Sequence, residues 1–468
     1  MEFFLSFTEA VLLSAALLVG FIYLRKNKRD PRYPPGPRAL PFIGNAHQLG
    51  KDSLRVMQKG PRSMDPFTAS TWDLKSNKKI VLQYFERNCF LNNCLFVLRT
   101  IVLNDAKLVK ELFSDINSTG RALNPVTWYF GKGNGIIISQ GHNWEAQRRF
   151  TLRKLRDFGV LKSSIEDYVT EEATALIKSF ERKVGQPISG TRLFNGPIVN
   201  TLWRVVSSEN NDWDSPVKPE ILQRAESVME SVNFTAVSGL FFAPFLRYIA
   251  PDHYLVEMEN TTDPSSSFYK EQGEKNLQAI VGDLFVAGSE TSSNSLSFAT
   301  LYLSQHLETQ RKAQAELDRV VGLDRQVFLS DKPALPYIEA ILLETFRLSS
   351  IVAMGVPHRM LADTMFHGYF LPKGATVIAN LYAIHHDTKT WGPDVNEFRP
   401  ERFLNEDETQ VVRHDSLIPF SAGRRQCLGE GLARDSLFLF VASILQKFVI
   451  EPDPACPYVD IDTSSVSC

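Results

Sequence analysis

The stretch Phe420-Ser-Ala-Gly-Arg-Arg-Gln-Cys-Leu-Gly429 decides how this chain reads. A helix-forming run follows Cys427 directly and continues to about Phe448. A thiolate used as a metal ligand needs donors for its negative charge and a wall against water. Gly423 and Gly429 permit close backbone turns whose N–H groups can face the sulfur, and the following helix aims the positive end of its dipole at the same atom. Phe420 is sized to cover it. An isolated cysteine would more often be one more buried thiol.

Outward from that loop, further charged and small residues fall in ordered spacings. Phe398-Arg-Pro-Glu-Arg402-Phe403 lies upstream, and before it Glu344-Thr-Phe-Arg347 sets opposite charges at i and i+3 on one helix face. Such pairs are common on surface helices, so this one gains meaning only from its position. Earlier still, Leu277, Ile280, Val281, Leu284 and Phe285 recur at helical spacing, and the pattern runs to about Leu303. A helix of that length must cross the core. Within it, Ala287-Gly-Ser-Glu-Thr291 introduces glycine, an acid and a hydroxyl; Gly288 is expected to open room beside the helix, with Thr291 donating to something held there. The bland reading is a hydroxyl bonded to its own backbone. A further helix is expected from near Pro336 to Leu348, strands over 98–103 and 375–380, and a turn at Pro372-Lys-Gly374. The fold class is mainly α with a smaller β region.

The cysteine string fits Phe-x-x-Gly-x-Arg-x-Cys-x-Gly at every defined position, and so resembles the heme-binding signature of the cytochrome P-450 family. Five fixed positions in ten make a bystander thiol a poor alternative. The resemblance implies a heme-thiolate monooxygenase carrying heme b (iron protoporphyrin IX), with Cys427 as the axial and metal ligand. It implies that Glu344, Arg347 and Arg402 form a buried ionic network with a folding role. The Ala-Gly-Ser-Glu-Thr run is similar to the family's oxygen-binding groove, which makes Thr291 and Glu290 the catalytic candidates, orienting and relaying protons. Trp144-Glu-Ala-Gln-Arg148 resembles the family's Trp-x-x-x-Arg, whose members contact a heme propionate. Similar placement suggests Arg121, His358 and Arg425 as further cofactor-binding residues, since a guanidinium fork matches a carboxylate. His358, after a proline, can equally cap a strand.

Residues 148–156 carry five cations in nine, by default a solvated face. The resemblance implies that an acidic electron donor docks there, NADPH-cytochrome P-450 reductase, with cytochrome b5 as a second candidate. The chain itself has no nicotinamide or flavin motif. Gly131-Lys-Gly-Asn-Gly135 has neither spacing of a nucleotide loop. His385-His386 reads as loop rather than a metal site. A net charge of -2 gives no reason to expect nucleic acid. Five cysteines, odd in number, scattered and without a Cys-x-x-Cys pair, indicate neither a disulfide framework nor a zinc site.

The amino terminus sets the compartment. An apolar run from Phe3 to Leu24 would span about 33 Å as a helix. Arg25, Lys26, Lys28, Arg29 and Arg32 follow it, which orients the remainder toward the cytosol. The expected organisation is a transmembrane anchor (1–24), a basic and proline-rich linker (25–41) and a heme-binding monooxygenase domain (42–468). The anchor and the resemblance together imply an endoplasmic reticulum membrane location and a lipophilic small-molecule substrate. Two stretches depart from the family pattern. Over 65–96 the usual first β-hairpin is not recognisable, and over 244–262 the chain looks shortened. The rival expectation is therefore a heme-binding or scaffold remnant impaired in those regions.

Overall fold

A computed structural model describes residues 32–34, 82–91, 94–122, 133–157, 163–190, 193–207, 209–215 and 263–453. The expected anchor over 1–24, nearly all of the linker, and the 244–262 stretch lie outside the described residues. Among the described residues no helix is long and apolar enough to cross a membrane.

In chain order the helices are α1 (Ala106–Ser114), α2 (Gly141–Asp157), α3 (Ser163–Glu181), α4 (Asn195–Ser207), α5 (Lys270–Gln305), α6 (Leu307–Val320), α7 (Pro336–Ser349), α8 (Leu381–His385), α9 (Thr388–Trp391) and α10 (Glu430–Lys447). The strands are β1 (Leu82–Leu91), β2 (Cys94–Leu103), β3 (Gly120–Arg121), β4 (His358–Arg359), β5 (Thr364–Phe366), β6 (Tyr369–Leu371) and β7 (Thr376–Ala379). The mainly α reading holds, and the three long helices expected from periodicity are α5, α7 and α10.

The sheet corrects one expectation. Strands β1 and β2 form an antiparallel hairpin in register Leu82↔Leu103, so the stretch read as lacking a hairpin contains one. Strand β2 also begins earlier than residue 98. The polar residues of β1, Gln83, Glu86, Arg87 and Asn88, hide a strand from any pattern search for apolar runs. The five-stranded sheet runs β1-β2-β7-β4-β3, with β2 and β7 parallel and the other pairs antiparallel. Strands β5 and β6 make a separate hairpin, and Phe370 of β6 donates its N–H to Arg32 O at 2.8 Å.

The helical core is built where α5, α7, α10 and α3 meet. Leu296, Ala299, Tyr302 and Leu303 of α5 are buried against Ile338, Ile341 and Leu342 of α7 and Phe438, Phe440 and Val441 of α10. Helix α7 is buried nearly throughout, so its ends need internal partners. The Glu316 carboxylate of α6 accepts the N–H groups of Tyr337 and Ile338 at 3.1 and 3.3 Å, and Ser350 closes the other end at φ 40°.

The expected ionic network is present. Glu344 takes Arg347 bidentately at 2.7 and 2.8 Å and Arg402 Nε at 3.2 Å, all three side chains being buried. Arg402 NH1 continues to Trp391 O at 2.7 Å. Two smaller expectations are corrected. His385 ends a helix rather than lying in a loop, with Nδ1 3.0 Å from Ser350 Oγ and Nε2 accepting Ile418 N–H at 3.1 Å. A Cβ on Gly288 would lie 3.0 Å from Leu202 Cδ1, so the room beside this glycine is occupied by α4.

Candidate heme-thiolate site

The cysteine loop is shaped by its neighbours on both sides. Cys427 donates its N–H to Phe420 O at 3.0 Å, closing the loop. Gly423 sits at φ 74°, and a Cβ there would collide with the Phe113 carbonyl at the end of α1. Its role is therefore close approach to α1, where the sequence suggested an N–H aimed at the sulfur. Gly429 does match that reading: its N–H faces the Cys427 sulfur and pulls the thiol's pKa down, and it caps α10. Phe420 packs edge-on against Phe346 at 5.4 Å, with the Arg434 guanidinium 4.9 Å above its ring.

Cys427 is free and exposed. Desolvation of the sulfur raises its thiol above the ordinary value; the Gly429 N–H and the charge of Arg148 oppose this, and Glu430 adds to it. Glu430 is held by Arg434 Nε at 2.9 Å and Gln426 Nε2 at 2.8 Å. A net positive partner on the open side is what would keep this sulfur ionised.

Four of the expected cofactor-binding residues come together. The Arg425 guanidinium lies 4.0 Å over the Trp144 ring. Arg148 NH2 donates to Gln426 O at 2.6 Å, next to the cysteine. Arg121 donates to Ile137 O at 2.9 Å and Val356 O at 3.1 Å. The cations crowd one another. Burial, then Arg148, lower Arg121 to about 10; burial, then Arg121 and Arg148, lower Arg425 to about 8.

His358 joins this group through the sheet, since β3 and β4 set it opposite Arg121. Its Nδ1 lies 2.8 Å from Ser118 O, and its ring stacks on Phe113 at 3.6 Å. Burial, reinforced by the charge of Arg121, depresses it to about 2, so the ring is neutral.

Thr291 and Glu290 stand apart from that cluster on α5. The Thr291 hydroxyl donates to Ala287 O at 2.6 Å, the bland arrangement, which leaves its oxygen free to accept. Ala287 is exposed although it lies midway along a core-crossing helix. Glu290 is half-buried, and desolvation raises its carboxyl above the ordinary range.

The donor set fits heme b. Three clustered guanidiniums are answered by one carboxylate, Asp283, among the described residues. The buried Trp144 Nε1 has no partner there, and such orphans are rare unless a missing group satisfies them. Two propionates would supply the acceptors and the counter-charge, and the free Cys427 thiol, ionised on binding, would be a soft ligand for iron. Sequence reading missed Asp283, Asn276 and Gly135. Their signal was the seven-residue spacing on α5 and the glycine string dismissed as a false nucleotide loop.

A family model described as Cytochrome P450 matches residues 95–270 and 253–467. Among curated proteins, mouse Cytochrome P450 2J5 is 31% identical over 96% of this chain and 92% of its own length. Rat Cytochrome P450 2B2 is 32% identical over 97% and 95%. Farnesoate epoxidase of Bombyx mori is 29% identical over 96% and 95%.

Proposed function

Because the chain belongs to the cytochrome P450 family of heme b monooxygenases, we propose that it inserts one oxygen atom from dioxygen into a lipophilic small molecule, by hydroxylation or epoxidation. The observation that carries this is the free Cys427 sulfur faced by the Gly429 N–H, beside a cation cluster with a Trp144 Nε1 that has no partner among the described residues. When bound, heme supplies oxygen activation at an iron whose thiolate ligand pushes electron density toward O–O cleavage.

The chain's own residues have separable tasks. Cys427 ligates the iron, and the Gly429 N–H with the α10 dipole holds its negative charge. Arg121, Arg148, Arg425 and Trp144 bind the propionates, the guanidiniums offering fork geometry. His358 acts as a neutral wall and Nδ1 tie to Ser118 in this scheme. The Thr291 oxygen accepts and passes on a proton, and the raised Glu290 carboxyl takes protons up from solvent.

Electrons come from NADPH through a separate reductase, with cytochrome b5 as an alternative donor. The exposed Arg149, Arg153 and Arg156, at i, i+4 and i+7 of α2, support docking of an acidic partner. The apolar run 3–24 and its basic flank support a single-pass anchor in the endoplasmic reticulum with the domain facing the cytosol; protection of the domain from protease in sealed microsomes would count against it. The remnant reading is not favoured, since similarity runs along nearly the whole chain.

The deciding experiment is the reduced carbon-monoxide difference spectrum of the purified full chain and of Cys427→Ala. The parent should give a thiolate-type spectrum, and the variant should lose it with reduced heme content. Retention of that spectrum in the variant would remove Cys427 as ligand.

A further inference from the structure

Asn276 and Asp283 are seven residues apart on α5, two turns, and so share a face. Asp283 Oδ2 accepts the N–H groups of Ile136 at 2.6 Å and Ile137 at 2.9 Å. Asn276 Oδ1 accepts Gly135 N–H at 3.2 Å. Gly135 sits at φ 77°, and any Cβ there would collide with the Asp283 carboxylate, so only glycine lets the loop come this close. The carbonyls of the same stretch serve the arginines. Ile136 O accepts Arg425 NH1 at 2.9 Å, Ile137 O accepts Arg121 Nε at 2.9 Å, and Ser139 O accepts Arg425 NH2 at 2.5 Å. Residues 136 and 137 thus have their donors on α5 and their acceptors on the two guanidiniums.

We propose that Asp283 is a positioning residue for cofactor retention, bracing Arg121 and Arg425 against the heme carboxylates through the backbone of Ile136 and Ile137. The proposal rests on the heme reading above. Asp283 touches no cofactor itself; it holds the loop that holds the cations, and it gives Arg121 a counter-charge. The charged groups on its side of the loop are Arg121 of β3, with Arg148 of α2 and Arg425 of the cysteine loop beyond it. Asn276 and Gly135 add none. Burial raises the Asp283 carboxyl to about 6, against the pull of the two N–H groups and Arg121. Above that pH the brace is anionic and both bonds are charge-assisted. Below it the carboxyl is neutral and Arg121 loses its counter-charge, so heme retention should weaken on the acid side.

The test uses the purified, heme-loaded full chain mixed with excess apomyoglobin as a heme acceptor, with transfer followed by absorbance. Asp283→Ala should release heme about tenfold to a hundredfold faster at neutral pH, the scale of one hydrogen bond to a charged group, since the loop passes on only part of the loss. Asp283→Asn keeps an acceptor oxygen at the same point without the charge. It should release heme at neutral pH about as fast as the parent does below pH 6, more slowly than the alanine variant, and show no further acceleration near pH 6. The three most buried histidines also make the fold acid-sensitive, so the difference between parent and Asn variant is the quantity read. A folded Asp283→Ala chain that keeps heme as long as the parent overturns the proposal. So does an Asn variant with the parent's acid profile, which decides the matter even if the alanine variant fails to fold. A parent lacking the thiolate-type carbon-monoxide spectrum before mixing would overturn the heme reading itself, a failure distinguishable from the other two.

Discussion

At the scale of single residues, two side chains with hydroxyl and carboxyl groups carry different burdens. The Thr291 hydroxyl donates to Ala287 O of its own helix. Thr291→Ala should leave heme content near normal, because alanine is the better helix former. Product formed per NADPH should fall severalfold or more, with hydrogen peroxide released instead, since a positioned proton donor contributes about 10²–10⁴-fold. Thr291→Ser should restore part of the coupling. Equal product per NADPH in the alanine variant would make Thr291 a packing residue. Glu344 is a contrasting case. Its carboxylate answers the fully buried Arg347 and also Arg402 and the Arg399 N–H. Glu344→Gln leaves a buried guanidinium without its counter-charge, and unfolding should become easier by about 3–5 kcal/mol. Denaturant titration of the heme-loaded chain measures this. The arginine pair was legible in the sequence, but its total burial was not.

At the scale of elements, the packing of α4 on α5 turns on one missing methyl group. Gly288 was legible as a breaker within a helical run, and the sequence suggested room for a ligand. The structure gives that room to Leu202. Gly288→Ala gains about 1 kcal/mol in helix propensity but forces a Cβ to 3.0 Å from Leu202 Cδ1, an overpacking cost of about 1–3 kcal/mol. A net loss of up to about 2 kcal/mol is expected. Leu202→Ala in the same chain should relieve the contact, so the double variant should be more stable than the two single losses add up to. Strict additivity in thermal unfolding would show that the contact carries no strain. The β1–β2 hairpin teaches the opposite lesson about legibility. Its polar first strand has no clean alternation, and its pairing is fixed by the partner strand rather than by its own pattern.

At the scale of the whole molecule, buried histidines set an acid limit. Burial chiefly depresses His358 to about 2, His385 to about 3 and His386 to about 4. All three are neutral in the folded chain, whereas the unfolded chain protonates them below about 6.5. At these three positions the unfolded state therefore binds more protons, and the stability they contribute falls as pH drops below that value, while the raised Asp283 carboxyl works the other way. Each histidine contributes a slope of about 1.4 kcal/mol per pH unit until its folded value is reached. The unfolding free energy should carry this contribution between about pH 6.5 and pH 5, and replacing His386 with Gln should lessen the slope by up to about 1.4 kcal/mol per pH unit. An unchanged slope would mean that the imidazole is protonated in the fold.

The sequence by itself determined the ligand cysteine, the long central helix, the charge network and the family resemblance. Each is a local string whose chemistry is complete within a few residues. Only the tertiary structure decided which of these strings meet. It brings Trp144, Arg148, Arg121 and Arg425 together from three separate segments, with Thr291 and Glu290 carried on another, α5. It turns Gly423 and Gly288 from loop and pocket features into sites of close approach. Asp283, bonded to the loop whose carbonyls hold two arginines, takes its role from partners more than 140 residues away. A carboxylate's function depends on what surrounds it in space, and spacing along the chain holds no record of that.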